Sequence, residues 1–347
     1  AYSLNGGPEL PLSIGPDTRR LAAEGDFNVD IDYADLDPGL NQVVITAIDK
    51  LDNTAVETVT VEYVSGHVWP LPYTIDWSSG EPITDEVQVV DGLWTLEADG
   101  IRPAIPGYDR NVVIGDMNWD DYEIRVPITI NDVDPVRGSG LGIAMRWNGH
   151  TDDPVSGWQP KSGWYPLGVM GWYAWQPDGS SSLNLSGNYD RLIGEDTSRA
   201  LDLGVPYNFK MHVETIPGQG GLYGFKVWEA SQPEPLEWDF FGQEGLADPQ
   251  NGSLMLMAHY VDACFGNVTI TPGPFDDTIP PVISNIQVTP GETSATITWT
   301  TNELATSSVA YGPTPAYENG SVDDSTPVTE HTITLTGLIP GTLYHYQ

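Results

Sequence analysis

The stretch Tyr122-Glu123-Ile124-Arg125-Val126-Pro127-Ile128-Thr129-Ile130-Asn131 decides the fold class. Its apolar side chains fall on every second position, and Glu123, Arg125, Thr129 and Asn131 stand among the residues between them. A period of two marks a strand with one buried face. The pattern recurs downstream, where Tyr207, Phe209, Met211 and Val213 alternate with Asn208, Lys210, His212 and Glu214. Tyr223, Phe225 and Val227 form another run, and Leu254, Leu256, Ala258 and Tyr260 another. Helical spacing is nearly absent, while 37 Gly and 29 Pro punctuate turns between patterned strands. Roughly a dozen strands without helices suit one two-sheet jelly roll, placed at residues 67–275.

Shorter β segments flank it. In residues 1–66, Val29, Ile31 and Tyr33 alternate with Asn28, Asp30 and Asp32, followed by Val43, Ile45 and Ala47, then Val59, Val61 and Tyr63. Each set predicts a strand. A proline-bearing linker, residues 273–281, favours an extended join to residues 276–347. The expected architecture is all-β, with three β-sandwich modules in series.

Each segment also resembles a known family. The run Leu36-Asp37-Pro38-Gly39-Leu40-Asn41-Gln42-Val43-Val44-Ile45-Thr46-Ala47-Ile48-Asp49 resembles the hallmark of bacterial Ig-like modules. Residues 67–275 resemble the concanavalin A-like/laminin-G superfamily through Trp94-Thr95-Leu96-Glu97, Lys226-Val227-Trp228-Glu229 and Phe265-Gly266-Asn267-Val268-Thr269-Ile270. The last segment resembles a fibronectin type III module through Ala295-Thr296-Ile297-Thr298-Trp299-Thr300 and Leu338-Ile339-Pro340-Gly341-Thr342-Leu343-Tyr344-His345-Tyr346. These resemblances imply one segment of a long extracellular or cell-surface protein. They also imply an Ig-like module incomplete before Ala1 and a fibronectin-like module incomplete after Gln347.

Charge narrows the partners. Thirteen Lys+Arg face 49 Asp+Glu, a formal charge of −36. Nucleic acid and anionic membrane surfaces, which need clustered cations, are excluded as expected partners. No apolar run approaches the roughly 20 residues of a membrane span. The lone cysteine, Cys264, sits in a strand-like run and reads as a buried, inert thiol.

The aromatic- and glycine-rich block holds the candidate ligand-binding residues: Trp158, Trp164, Trp172, Tyr173 and Trp175, with Arg146 from the strand before it. Aromatic rings stack on the apolar faces of sugars, and glycines let a ligand approach backbone. Met170, Trp172 and Ala174 share one strand face and Val169, Tyr173 and Trp175 the other, so one set must be core. In the preceding strand, Gly140, Gly142, Ala144 and Arg146 form a small-residue face suited to a groove floor. Leu141, Ile143, Met145 and Trp147 form the bulky one. Asp116, Asp120 and Asp121, and Asp276 with Asp277, are candidate calcium ligands, because oxygen-rich loops hold that ion.

Catalytic motifs are missing. The concanavalin-like endoglucanases carry Glu-x-Asp-x-x-Glu; here Glu97-Ala98-Asp99 begins it, but Arg102 stands at the last position. The six histidines form no metal-binding pair. The expected function is a non-catalytic binding or adhesion segment with a glycan-binding central sandwich. Two alternatives stand beside it: a building block of an extracellular fibre or layer, pairing with itself, and an accessory region of a secreted hydrolase.

Overall fold

Alternation becomes two sheets facing each other. The computed structural model describes residues 1–17, 19–64, 69–152, 159–273 and 281–347, and the chain divides into two units, Ala1–Phe275 and Asp276–Gln347.

In the first unit a nine-stranded antiparallel sheet is centred on Tyr122–Val133, flanked by Pro206–Ile216 on one side and by Val261–Phe265 and Val268–Pro272 on the other. Tyr122, Ile124, Val126, Ile128 and Ile130 are all fully buried, as their period of two requires. A seven-stranded sheet runs in the order Arg191–Asp196, Ser181–Gly187, Met170–Trp175, Gly140–Trp147, Ser253–His259, Arg110–Ile114, Gln88–Asp91. Its inner side chains, among them Leu141, Ile143, Tyr173, Leu183, Leu185 and Leu256, join the facing sheet in one core. Burial of this apolar area, worth roughly 25 cal/mol per Å², is the main term holding the sandwich together.

The N-terminal sheet is far less buried. It has three strands in the order Tyr2–Leu4, Gly39–Ile48, Thr54–Tyr63. Tyr2 and Val43 are buried, but Leu40, Ile48 and Val56 are exposed. Asn41 is completely buried, with Nδ2 donating to the Asp37 carbonyl at 2.8 Å and Oδ1 accepting from Asp37 N at 2.9 Å and Asn5 Nδ2 at 2.8 Å. It therefore fixes the turn into its strand.

One expected strand does not form. Residues 27–32 pair with no strand, and Tyr33–Asp35 is a single 3-10 turn. The alternation is real, yet its hydrogen bonds go to a side chain. Asp30 N donates to Gln159 Oε1 at 3.2 Å, and Gln159 Nε2 donates to the Asp30 carbonyl at 3.3 Å. The Gln159 amide thus stands in for a neighbouring strand.

The second unit has a small core of Ile297, Trp299, Val309, Ile333 and Leu335. Strands Ile283–Pro290, Ser294–Gly312 and Ser321–Thr336 form its sheet, and His345–Tyr346 pairs with Ser294–Gly312. His331 is buried between Thr301 Oγ1 and Ser307 Oγ, both at 2.8 Å, and stacks on Trp299.

Candidate functional site

The site begins with a break in alternation. Strand Gly140–Trp147 pairs regularly with Ser253–His259 until its register shifts between Ala144 and Trp147. Arg146 sits at the shift with φ +53°, the left-handed region that side chains seldom adopt. The bulge changes the phase of the last two residues. Arg146 turns inward and is fully buried, while Trp147 turns outward and packs with Ala144, Val113, Leu167 and Met255 on the sheet's outer face.

Arg146 is therefore a core residue, not part of a groove floor. Its Nη2 donates to Thr215 Oγ1 at 2.6 Å and the Asp120 carbonyl at 3.1 Å, and lies 3.4 Å from Asp121 Oδ1. Its guanidinium stands 5.7 Å from the centre of the Tyr223 ring. A charge taken out of water needs such partners.

The N-terminal segment lies against the outer face of the seven-stranded sheet. Arg20 fastens it there: Nε donates to Asp91 Oδ1 at 2.5 Å, Nη1 to Asp30 Oδ2 at 2.7 Å and Nη2 to Asp30 Oδ1 at 3.1 Å. Both Arg20 and Asp91 are almost wholly buried. Asp91 also accepts from Asn111 Nδ2 at 2.9 Å and faces His150 Nε2 at 3.1 Å. Burial pushes the Asp91 carboxyl up, but hydrogen bonds and charge from His150 and Arg20 outweigh it and hold it below its ordinary value. Lys161 completes the fastening, with Nζ 2.7 and 2.8 Å from the two Asp32 oxygens.

Between segment and sheet lies a cleft of about 670 Å³. One wall carries Phe27, Asp30, Asp32 and Tyr33; Tyr63 comes from the N-terminal sheet, and Trp147, Asn148 and His150 from the sandwich. Phe27 and Tyr33 are exposed, and the Tyr33 and Tyr63 ring centres are 5.7 Å apart. Trp147 Nε1 is buried with no hydrogen-bond partner among the described residues. An indole N–H normally finds an acceptor when buried. Rings for stacking, and carboxylates and an amide for hydroxyls, make this cleft suited to a polyhydroxylated ligand.

The sequence candidates divide. Tyr173 is core, its hydroxyl donating to Ser181 Oγ at 2.8 Å and accepting from Leu201 N at 3.0 Å. Trp175 packs on the same core with its ring centre 4.7 Å from that of Tyr173. Both belong to the inner set, so burial corrects their expected exposure to ligand. Trp172 lies on the outer face over Gly140, where an added Cβ would fall 2.3 Å from the indole. Trp164 packs over the outer cluster, edge-on to His150. Trp158 lies outside the described residues. Trp172 also belongs to an unbroken outer row across the sheet, Glu195, Asn184, Trp172, Gly142, Met257, Asn111 and Asp91, each directly opposite the next. The row ends at the Asp91 hub. Phe27, Tyr33, Tyr63 and Trp147 were not among the candidates. The alternation of residues 28–33 was the available signal, but it reads as a strand.

Among the described residues no three of His, Cys, Asp and Glu converge as metal ligands. Asp121 Oδ1 accepts from Thr215 N and Oγ1 at 2.8 and 2.7 Å, Asp116 Oδ2 lies 3.4 Å from Trp69 N, and Asp120 caps the next amide at 2.8 Å. Asp276 and Asp277 lie outside the described residues. Arg102 is tied to Asp262, its Nε 2.6 Å from Oδ1. Cys264 is half-buried, and burial, then Asp99 and Glu97, push its thiol up to about 11, so it stays protonated. No helix among the described residues is long and apolar enough to cross a membrane.

Comparisons with known proteins give the following. Residues 281–347 match the family described as Purple acid Phosphatase, N-terminal domain. No curated protein matches the chain. Similar solved structures include the carbohydrate binding module CBM66 from Bacillus subtilis, at 15% identity and TM-score 0.34, covering 53% of this chain and 94% of that one. The VIP36 exoplasmic/lumenal domain, in a form bound to Ca2+ and Man3GlcNAc, is similar at 10% identity and TM-score 0.43, covering 61% and 93%. The apo Crh5 transglycosylase is similar at 12% identity and TM-score 0.39, covering 59% and 85%.

Proposed function

We propose that residues 1–275 are a non-catalytic glycan-binding unit of an extracellular or cell-surface protein, and that the ligand enters the cleft between the N-terminal segment and the seven-stranded sheet. The observation that carries this is the cleft itself, with Phe27, Tyr33, Tyr63 and Trp147 around Asp30, Asp32 and Asn148. Pockets with apolar rings and a few placed polar groups are the usual form of ligand sites. Binding rather than bond cleavage is favoured by the carboxylates: Asp30 and Asp91 are held by Arg20 and Asp32 by Lys161. A glycosidase needs one carboxylic acid and one unencumbered carboxylate about 5–10 Å apart. Trp172 and Trp164 extend the reading along the outer face as further contact rings.

A glycan array and affinity electrophoresis test it with the double variant Phe27→Ala/Tyr33→Ala, which alters only exposed rings. Retention by the parent chain and its loss in the variant is the expected result. No retention of the parent chain on any polysaccharide overturns the glycan assignment; equal retention of both overturns the cleft.

The match of residues 281–347 supports a second reading, an accessory region attached to a phosphatase. A metallophosphatase domain encoded in the same gene beyond Gln347 is its expected finding, and an unrelated sequence there rejects it.

A further inference from the structure

The first unit has a second cleft, of about 470 Å³, between Pro16, Arg19, Leu21 and Ala22 on one side and the strand-end loops at residues 105–110 and 134–137 on the other. Its charge runs against that of the chain. Arg19, Arg110 and Arg137 all line it, in a sequence with only 13 basic residues among 347. Arg110 is the unusual member. It is 2% exposed, and among the described residues no carboxylate lies within ion-pair distance of it. Its Nε donates to the Ile105 carbonyl and its Nη1 to the Tyr108 carbonyl, both at 3.0 Å.

Among the described residues Nη2 of Arg110 has no such partner, and Gly107 leaves it room: a Cβ there would fall 2.2 Å from that nitrogen. Burial pulls the Arg110 guanidinium down from its ordinary value, against the more distant Asp91, Asp109 and Asp26. Arginine nevertheless stays charged in proteins. A buried cation without a counter-ion is costly unless something supplies one.

The nearby carboxylates are already engaged. Asp109 Oδ1 bonds His259 Nδ1 at 2.6 Å. Asp134 Oδ2 lies 3.2 Å from Arg137 Nε. Arg137 stands 4.9 Å over the Tyr260 ring, and Arg19 Nη1 donates to Ser162 Oγ at 2.9 Å. The Tyr108 and Tyr260 rings lie edge to face, 6.3 Å apart, on the cleft wall.

The geometry points to an acidic-sugar subsite here: the carboxylate or sulfate of a saccharide meets Arg110, with Arg19 and Arg137 at the rim and the tyrosines beside the sugar ring. Guanidinium forks can donate two parallel hydrogen bonds to a pair of oxygens of either group. This site does not depend on the aromatic cleft. The overall charge of −36 repels long polyanions, so short ligands should bind better than polymers.

The test is calorimetric titration of the whole chain with a galacturonic acid trimer, a neutral galactose trimer, a sulfated galactose trimer, a glutamate tripeptide and inorganic sulfate. The variants are Arg19→Ala/Arg137→Ala, which leaves the buried Arg110 in place, and Arg110→Gln, with thermal unfolding of each as the folding control. The expected result is binding of either acidic trimer, with the tighter one naming the acid group. Affinity should fall about tenfold in the rim double variant and be lost in Arg110→Gln. The neutral trimer should show no binding that either variant alters. No binding of either acidic trimer to the parent chain overturns the proposal, as does unchanged affinity in the rim variant. Glutamate peptide or sulfate ion binding as tightly as the trimers overturns the saccharide assignment. Failure of the Phe27→Ala/Tyr33→Ala test would leave these results intact.

Discussion

The two faces of the seven-stranded sheet are built from alternate residues of the same strands, yet they do opposite things. The inner face is dry and fully packed, with Leu141, Ile143, Tyr173 and Leu185 buried against Phe209, Met211 and Phe225. The outer face carries small residues, Trp172, a row of amides and acids and a small apolar cluster around Trp147, and the segment over it is fastened through ion pairs. Hydrophobic burial fixes a fold without needing a partner, whereas a polar-floored face covered by a fastened segment leaves room for one. The bulge at Arg146 moves residues between these roles, sending a charge into the core and a ring into the cleft.

Substitutions should separate the faces. Against the inner face, in the facing sheet, Phe225→Ala should cost about 3–5 kcal/mol, read by denaturant unfolding, because it leaves a cavity in a closed core. Arg20→Ala should cost about 3 kcal/mol by stranding Asp91, and the loss should be local: limited proteolysis within residues 15–36 should accelerate well before global unfolding changes. If Arg20→Ala instead unfolds the sandwich as a whole, the segment is part of the core and the contrast fails. Trp172→Ala, on the outer face, should cost only about 1 kcal/mol, with weakened glycan retention as its main effect.

Acid and base should distinguish the faces as well. Asp91, on the outer side, sits below its ordinary value, so its contribution is present above the unfolded carboxylate range and is lost as pH falls through the lower folded value. Release of residues 15–36 should therefore need strongly acidic solution. Glu244 behaves in the opposite sense. Burial, then its hydrogen bond to Asp248, push it up to about 7 in spite of Arg191. Its contribution is present below the unfolded value and is lost as pH rises through about 7. Stability of the first unit should fall as pH is raised through neutrality, and Glu244→Gln should flatten that slope.

The sheets were legible because the long strands Tyr122–Val133 and Pro206–Ile216 follow a period of two and burial respects it. Tyr122 to Ile130, Phe209 to Val213 and Leu254 to Ala258 are buried where alternation puts them. The choice between the faces of Met170–Trp175 was not legible, since Trp172 and Trp175 have the same chemistry and only the facing sheet decides which is core. The bulge was hidden too. A register shift depends on the partner strand, where Gly252 fits under Arg146 with φ +150°, and no local pattern announces it. Residues 28–33 misled for a related reason: an extended backbone satisfied by Gln159 leaves the same alternation as one satisfied by a strand.

Ligand entry between the N-terminal segment and the seven-stranded sheet is tested most directly by hydrogen–deuterium exchange with and without a glycan retained by the chain. Slowed exchange is expected at residues 27–33 and 147–150, on both walls of the cleft, with strand Tyr122–Val133 at the centre of the facing nine-stranded sheet unchanged. Protection confined to the second unit, or absent from residues 27–33 and 147–150 while glycan is bound, would contradict it.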